Sequence, residues 1–193
     1  MALDIDEKFF KNYAGSGRAY ARVWRQYCYF DECTALFKDP QAPTLKSICV
    51  LGTATGEICE AFYKKFGVKP YGCEVSRWAH RQTKDEFRSR VRCRDMRDYV
   101  SDIVESGKRF TLVFSNSLIY LPEADVPKIL RELSRCTDFL HCRSSTSGSK
   151  CPDPWRQTLR PYAWWNEQIS RAGFRVVPGA KGQRTYLWQS LWA

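Results

Sequence analysis

Apolar residues follow two alternating rhythms along this chain, short unbroken runs and three-to-four spacing, which predict strands and helices in turn. Ile48-Cys-Val-Leu51 and Phe110-Thr-Leu-Val-Phe114 are runs bounded by turn residues, as in parallel strands covered on both faces. Tyr71-Gly-Cys-Glu74, Val91-Arg-Cys-Arg-Asp95 and Phe139-Leu-His-Cys142 read as three more strands. Between them, Ile58, Ala61, Phe62, Lys65 and Phe66 share a helical stripe, and Ser76 is placed to cap a helix running to about Arg88. Residues 98–106 carry a weak helical pattern. Val126, Ile129, Leu130 and Leu133 share one face of a helix from Pro122 to Cys136, with Asp125 as cap and Pro127 in the first turn. Trp164, Trp165, Gln168 and Ile169 form a last helix, stopped by Gly173. Phe174–Val177 and Thr185–Trp192 follow with no helix between them, so they predict an antiparallel pair.

Strands alternating with helices predict an α/β three-layer sandwich whose seven-stranded sheet is mostly parallel, with the C-terminal pair antiparallel. The first 40 residues read as helical, with Phe9, Phe10, Tyr13, Tyr20, Val23, Trp24 and Tyr27 at helical spacing. Ala14-Gly-Ser-Gly17 interrupts them as a hinge, and Asp39-Pro-Gln-Ala-Pro43 is a loop. At 193 residues the expectation is one domain, 1–193, with a helical lid over 1–40 and a core over 45–193. Ser144 to Pro154 reads as a polar loop.

Candidate chemistry concentrates after the first strand. Gly52 and Gly56 supply backbone freedom at the turn and leave room for a ligand to approach the main chain. Glu74 ends the next strand 22 residues beyond Gly52. A carboxylate at about that separation accepts ribose hydroxyls in nucleotide-binding folds.

Composition narrows the classes. Seven Trp, 10 Tyr and 11 Phe exclude a largely disordered chain, and no apolar run approaches a membrane span. The N-terminus is acidic and lacks a signal-peptide core, so the expectation is a soluble cytoplasmic protein. The nine cysteines include no C-x-x-C pair. Cys49, Cys73, Cys93 and Cys142 fall in strands predicted to be buried, and only His80 and His141 are available beside them. Reduced core thiols and no metal are expected. The net charge of +10 is uneven, with eight Lys and Arg between Arg77 and Arg97 against Asp85, Glu86 and Asp95. Such a cluster serves either as a solvated face or as an attractor of phosphates or an acidic partner.

This order of elements, with Val50-Leu-Gly52-Thr-Ala-Thr-Gly56, Glu74, Asp95-Met96 and Ser115 to Leu121, resembles the class I S-adenosylmethionine-dependent methyltransferases. The resemblance runs from about Tyr13 to Trp192 and feels closest to small-molecule enzymes, with Trp164-Trp165, Ile169 and Ala172-Gly-Phe174 matching the helix and turn before the closing strands. It implies a Rossmann-like fold, S-adenosylmethionine as cofactor, and methyl transfer to O or N of a small molecule or side chain. It further implies cofactor contacts from Gly52, Thr53, Ala54, Gly56, Glu74, Val75, Asp95, Met96, Ser115 and Asn116, with Tyr13 and Arg18 of the lid meeting the methionine carboxylate. Tyr120, Glu123 and His141 are candidate general bases, needed only if the acceptor must lose a proton. His141 also fits a hydrogen-bonded core residue. The family commonly has an acidic residue where Val50 stands and glycine where Ala54 stands. An RNA or DNA methyltransferase and a catalytically inactive methyltransferase-like binding protein are the alternatives. The first is favoured by the basic clusters and the second by Val50 and Ala54. Oligomeric state is not legible.

Overall fold

The unbroken apolar runs become the centre of the sheet. The computed structural model describes residues 5–13, 17–38, 42–143, 153, 155–177 and 185–192. Its strands are β1 (Ile48–Leu51), β2 (Tyr71–Glu74), β3 (Val91–Cys93), β4 (Phe110–Ser115), β5 (Thr137–Arg143), β6 (Phe174–Val176) and β7 (Thr185–Ser190). They form one seven-stranded sheet in the order β3-β2-β1-β4-β5-β7-β6. Every residue of β1 and β4 is buried. The pairs from β3 through β5 are parallel, whereas β7 runs antiparallel to both β5 and β6. The predicted mixed sheet is thus found, and β7 inserts between β5 and β6.

Helices flank the sheet. On one side, rings from α3 (Phe30–Leu36), α4 (Glu57–Phe66) and β4 pack edge to face, with Phe30 and Phe62 at 4.9 Å and Phe62 and Phe114 at 5.3 Å. On the other lies α7 (Met96–Glu105), whose Tyr99 hydroxyl bonds Cys49 of β1. Then follow α8 (Val126–Cys136) and α9 (Tyr162–Arg171), each packed on its predecessor. Such aromatic pairs add about 0.5–1.5 kcal/mol beyond their buried area.

Several boundaries depart from the sequence pattern, each for a local reason. The N-terminal helix divides into α1 (Glu7–Lys11) and α2 (Tyr20–Tyr27), and α3 begins after Tyr29 turns left-handed at φ 50. Residues 14–16 of the expected hinge lie outside the described residues, as do 39–41 of the expected loop and 144–152 and 154 of the polar loop. The single helix expected from Ser76 to Arg88 breaks into α5 (Arg77–Gln82) and α6 (Asp85–Arg88). Thr83 between them is fully buried, and the Arg88 guanidinium donates to the carbonyls of Arg81 and Thr83. A side chain thereby satisfies the carbonyls that a continuing helix would have bonded. β3 ends at Cys93 because Asp95 caps α7, accepting from the Arg97 backbone N–H at 2.9 Å. Asp125 occupies the cap position of α8, but its carboxylate is taken by Arg97 at 2.9 Å and makes no cap bond. β5 starts at Thr137, earlier than the apolar run, because the Thr137 hydroxyl donates to Phe110 and Phe139 carbonyls.

Cys93 corrects the expectation of buried strand cysteines, for it is exposed. β3 is an edge strand, so its residues have a neighbour on one side only. The other seven described cysteines are buried. Burial pushes Cys59 and Cys142 up to about 12, which keeps them protonated at neutral pH. Among the described residues, no helix is long and apolar enough to cross a membrane.

Candidate functional site

The turn after β1 is built from left-handed residues. Gly52, Ala54 and Gly56 have φ of 79, 51 and 94. The Gly52 and Thr53 N–H groups both donate to the Cys73 carbonyl, at 3.0 and 3.1 Å, and fasten the turn to the end of β2. A Cβ on Gly52 would meet Ser117 Oγ at 2.0 Å, so the loops after β1 and β4 close on one another only because no side chain stands there. Ala54 occupies a conformation that costs an L-residue about 1–2 kcal/mol. Ala54→Gly is therefore expected to raise stability by about 0.5–1 kcal/mol, once glycine's greater freedom in the unfolded chain is deducted. A denaturant midpoint at or below the wild-type value would show that the turn stores no such strain.

Glu74 closes β2 directly beside this turn. Its Oε2 accepts the Ala54 N–H at 2.8 Å and its Oε1 accepts the Ser76 N–H at 2.9 Å. The side chain has no ion-pair partner among the described residues, and the residue is only 5% exposed. Burial pushes its carboxyl up to about 7, against the pull of the Ser76, Ala54 and Val75 N–H groups. The Glu74 carboxylate thus ties two loops together while lining a cleft.

That cleft, about 760 Å³ including its mouth, opens at the carboxyl ends of β1, β2, β3 and β4. In open α/β sheets this is where ligands bind, at the point where strand order reverses, here between β1 and β4. Gly52, Ala54, Glu74 and Val75 form one wall, Arg94, Asp95 and Met96 a second, and Asn116 and Ser117 the floor. Phe9, Phe10, Tyr13 and Tyr20 of the N-terminal segment roof it, with Tyr120 closing one side. The roof is a packed set of rings, since Phe9 meets Phe10, Tyr13, Tyr120 and Trp155 at 5.0–6.0 Å and Phe10 stacks on Trp78 at 5.7 Å.

The polar groups of the cleft differ in how far they are committed. Burial raises Asp95, but hydrogen bonds from the Arg97 side chain and backbone outweigh it and hold the carboxyl below its ordinary value. Arg97 also pairs with Asp125, so Asp95 is fixed as an anion at the cleft wall. The Tyr120 hydroxyl donates to buried Asp153 at 2.7 Å. Burial, Tyr13 and Asp153 all push Tyr120 upward, so its proton stays in place at neutral pH. Asn116 is the opposite case: its amide oxygen and nitrogen are both buried with no hydrogen-bond partner among the described residues. An uncompensated amide costs about 1–3 kcal/mol, and its place in the cleft floor makes it a ligand contact in waiting.

Of the residues singled out from sequence, Tyr13, Gly52, Ala54, Glu74, Val75, Asp95, Met96, Asn116 and Tyr120 line this cleft. Thr53 and Ser115 lie buried behind the wall, where the Ser115 hydroxyl donates to the Leu51 carbonyl and accepts the Ser117 N–H. Gly56 packs on Thr83. Arg18 is exposed and does not line the cleft; its carbonyl accepts the Tyr13 N–H. Glu123 is outside the cleft, paired with Arg160 at 2.6 Å. His141 is in the core, stacked on Phe114 at 4.4 Å, with Nε2 3.2 Å from the Cys28 carbonyl. Val50 is fully buried in β1 and does not reach the cleft. Sequence reasoning missed Phe9, Phe10 and Tyr20 as cleft residues, although their helical spacing marked an apolar stripe. It also missed Asp153, for which no local pattern gave a signal.

A family model described as a methyltransferase domain matches residues 48–138, from β1 into β5, the stretch that supplies the turn, Glu74, Asp95 and Asn116. Over that stretch the chain is similar to the methyltransferase-domain family. Solved structures of the same fold hold S-adenosylmethionine or S-adenosylhomocysteine. Solved structures share the fold over nearly the whole chain at low identity. DesVI of Streptomyces venezuelae is 16% identical with a TM-score of 0.68, covering 97% of this chain and 100% of that one. The sugar N-methyltransferase KedS8 of Streptoalloteichus sp ATCC 53650 is 14% identical with a TM-score of 0.67, covering 98% and 94%. The magnesium protoporphyrin IX methyltransferase ChlM of Synechocystis PCC 6803, solved with bound SAM, is 16% identical with a TM-score of 0.65, covering 93% and 84%. No curated protein sequence matches the chain.

Proposed function

We propose that this protein transfers a methyl group from S-adenosylmethionine to an oxygen or nitrogen of a small molecule. The observation that carries the reading is the cleft itself, which gathers Glu74, Asp95, Met96 and the unpartnered Asn116 amide beneath an aromatic roof. The residues present fit the cofactor. A side-chain-free approach at Gly52 leaves the turn's backbone open, and Glu74 is an acceptor for the ribose hydroxyls. Met96 and Asp95 flank the place for adenine, and Asn116 and Tyr13 lie where the methionine portion would extend. When bound, the sulfonium supplies a methyl already activated toward a nucleophile, so the protein's share is alignment and exclusion of water. Phe9, Phe10, Tyr13 and Tyr20 provide that exclusion. Tyr120, held by Asp153 and hydrogen-bonded to Tyr13, shapes the acceptor side of the cleft rather than offering an empty site for its proton. Of the three candidate bases, only Tyr120 reaches the cleft, and its proton is committed to Asp153, which favours an acceptor that is nucleophilic without a protein base.

A small acceptor is favoured over a polymer because the chain's own N-terminal rings cover the cleft. The sugar and porphyrin methyltransferases of the same fold are in keeping with that choice. Calorimetry with S-adenosylmethionine and S-adenosylhomocysteine is expected to give one site for each, and transfer of labelled methyl is expected into the small-molecule fraction of a cell extract. No binding of either compound at millimolar concentration would remove the enzyme reading. Label entering only RNA or protein would remove the small-molecule one.

A further inference from the structure

The basic cluster between Arg77 and Arg97 is not absorbed by the cleft. Registers place Tyr71 opposite Cys49, and Arg92 opposite Cys73, so Arg92 projects from the sheet face that α7 covers. Side chains alternate along a strand, which puts Arg90, Arg92 and Arg94 in one row on that face. α7 covers Cys49 through Tyr99 and reaches Arg94 through Asp102 at 2.9 Å, yet leaves Arg92 and Arg94 exposed. Instead of an apolar strand under a helix, the edge of the sheet carries a groove lined by cations. A second groove joins it at Tyr71 and Arg90 and brings in Lys46 and Lys69.

The charges here are unusually uncompensated. Arg94 pairs with Asp102, and Lys69 with Glu86 at 3.6 Å. Among the described residues, the remaining four have only neutral contacts or none. Arg90 donates to the Lys69 carbonyl at 3.1 Å and lies over the Tyr71 ring at 4.8 Å; Lys108 sits over the same ring at 3.2 Å. Lys46 and Arg92 are exposed, with no carboxylate partner among the described residues. Neutral partners hold Arg90 and Lys108 in position without cancelling their charge.

We infer that this joined groove along β3 binds the phosphodiester backbone of a single-stranded nucleic acid. Three features select that occupant. Arginines two residues apart on a strand repeat at about 6.6–6.8 Å, a regular spacing suited to a regularly charged chain. Guanidinium forks bind phosphate in a bidentate fashion. Arg90, Arg92 and Arg94 form a single row, where a duplex presents two lines of phosphate. The groove shares Arg94 with the cleft wall but is otherwise separate, and the inference stands independently of what the cleft takes.

The test is fluorescence anisotropy with a labelled oligouridylate across salt. For four phosphates neutralised, the log–log salt slope is expected near about −3, and binding weakens steeply between about 50 and about 200 mM salt. Arg92→Glu/Lys46→Glu, two exposed side chains with no ion pair to lose, is expected to weaken binding at least about tenfold and to flatten the slope by about half. Lys128→Glu/Arg171→Glu makes the same change in net charge on α8 and α9, and is expected to change affinity by less than about twofold. Binding of S-adenosylhomocysteine to the groove variant should be unchanged, which separates this surface from the cleft. No binding at low salt, equal loss in the two variants, or tighter binding of polyglutamate than of oligouridylate would each overturn the inference.

Discussion

Glu74→Gln is expected to remove a pH dependence from both stability and cofactor affinity. In the folded protein the Glu74 carboxyl sits at about 7, raised by burial from its ordinary 4.5. The folded state therefore holds this proton more tightly than the unfolded chain does. Below the unfolded value both states are protonated and the group has no effect. As pH rises from 4.5 to 7 the unfolded chain ionises first, and stability falls by about 3 kcal/mol before levelling off. The glutamine variant lacks this slope, so the stability difference between variant and wild type should shift in the variant's favour across that window, whatever constant cost the amide carries. Affinity moves the other way. A ribose diol donates to the carboxylate, so S-adenosylhomocysteine should bind wild type more tightly as pH rises through about 7 and reach a plateau above it. Glu74→Ala should weaken that binding by about 1–3 kcal/mol. Unfolding by denaturant and calorimetry at several pH values read the two effects separately, and a flat affinity profile in wild type would remove Glu74 as the ribose partner.

Glu74 also shows what a sequence makes legible. Its strand, the glycine turn before it and the separation between them are all local or near-local, and the positive φ of Gly52 and Gly56 is what those residue types foretell. The parallel sheet and closing antiparallel pair follow from the same periodicity. Properties set by distant contacts did not follow. Cys93 stands in a strand, but its exposure depends on β3 lying at the sheet edge. The break at Thr83 depends on Arg88 folding back on two carbonyls. His141 and Glu123 sit near strand ends in sequence, yet strand register stacks the first on Phe114 and an arginine 37 residues away claims the second. Asp153 reaches Tyr120 across 33 residues from within a polar stretch that carries no periodic signal.

Gly72→Ala is expected to destabilise the fold by about 3 kcal/mol, the upper part of the range for overpacking. Gly72 has an ordinary strand conformation, so nothing in its backbone demands glycine. The demand is spatial: a Cβ there would lie 2.4 Å from the Val50 carbonyl oxygen and 2.7 Å from Thr53 Cγ2. Val50 is the register partner of Gly72 and is paired on its other side with Phe114, so its carbonyl is held by the central strands and has nowhere to move. β2 must shift instead. Glu74 lies two residues on, and the Cys73 carbonyl between them anchors Gly52 and Thr53, so that shift pulls the carboxylate away from Ala54 and opens the turn. Loss of S-adenosylhomocysteine binding should accordingly be seen at denaturant concentrations where the variant is still folded. Gly107→Ala separates packing from backbone conformation, because Gly107 has φ of 67 but nothing within 4 Å of its added Cβ. Its cost should stay near about 1–2 kcal/mol, with cofactor binding intact. A Gly72→Ala protein that unfolds at the wild-type midpoint and binds the cofactor normally would mean that β1 and β2 are not held at this separation.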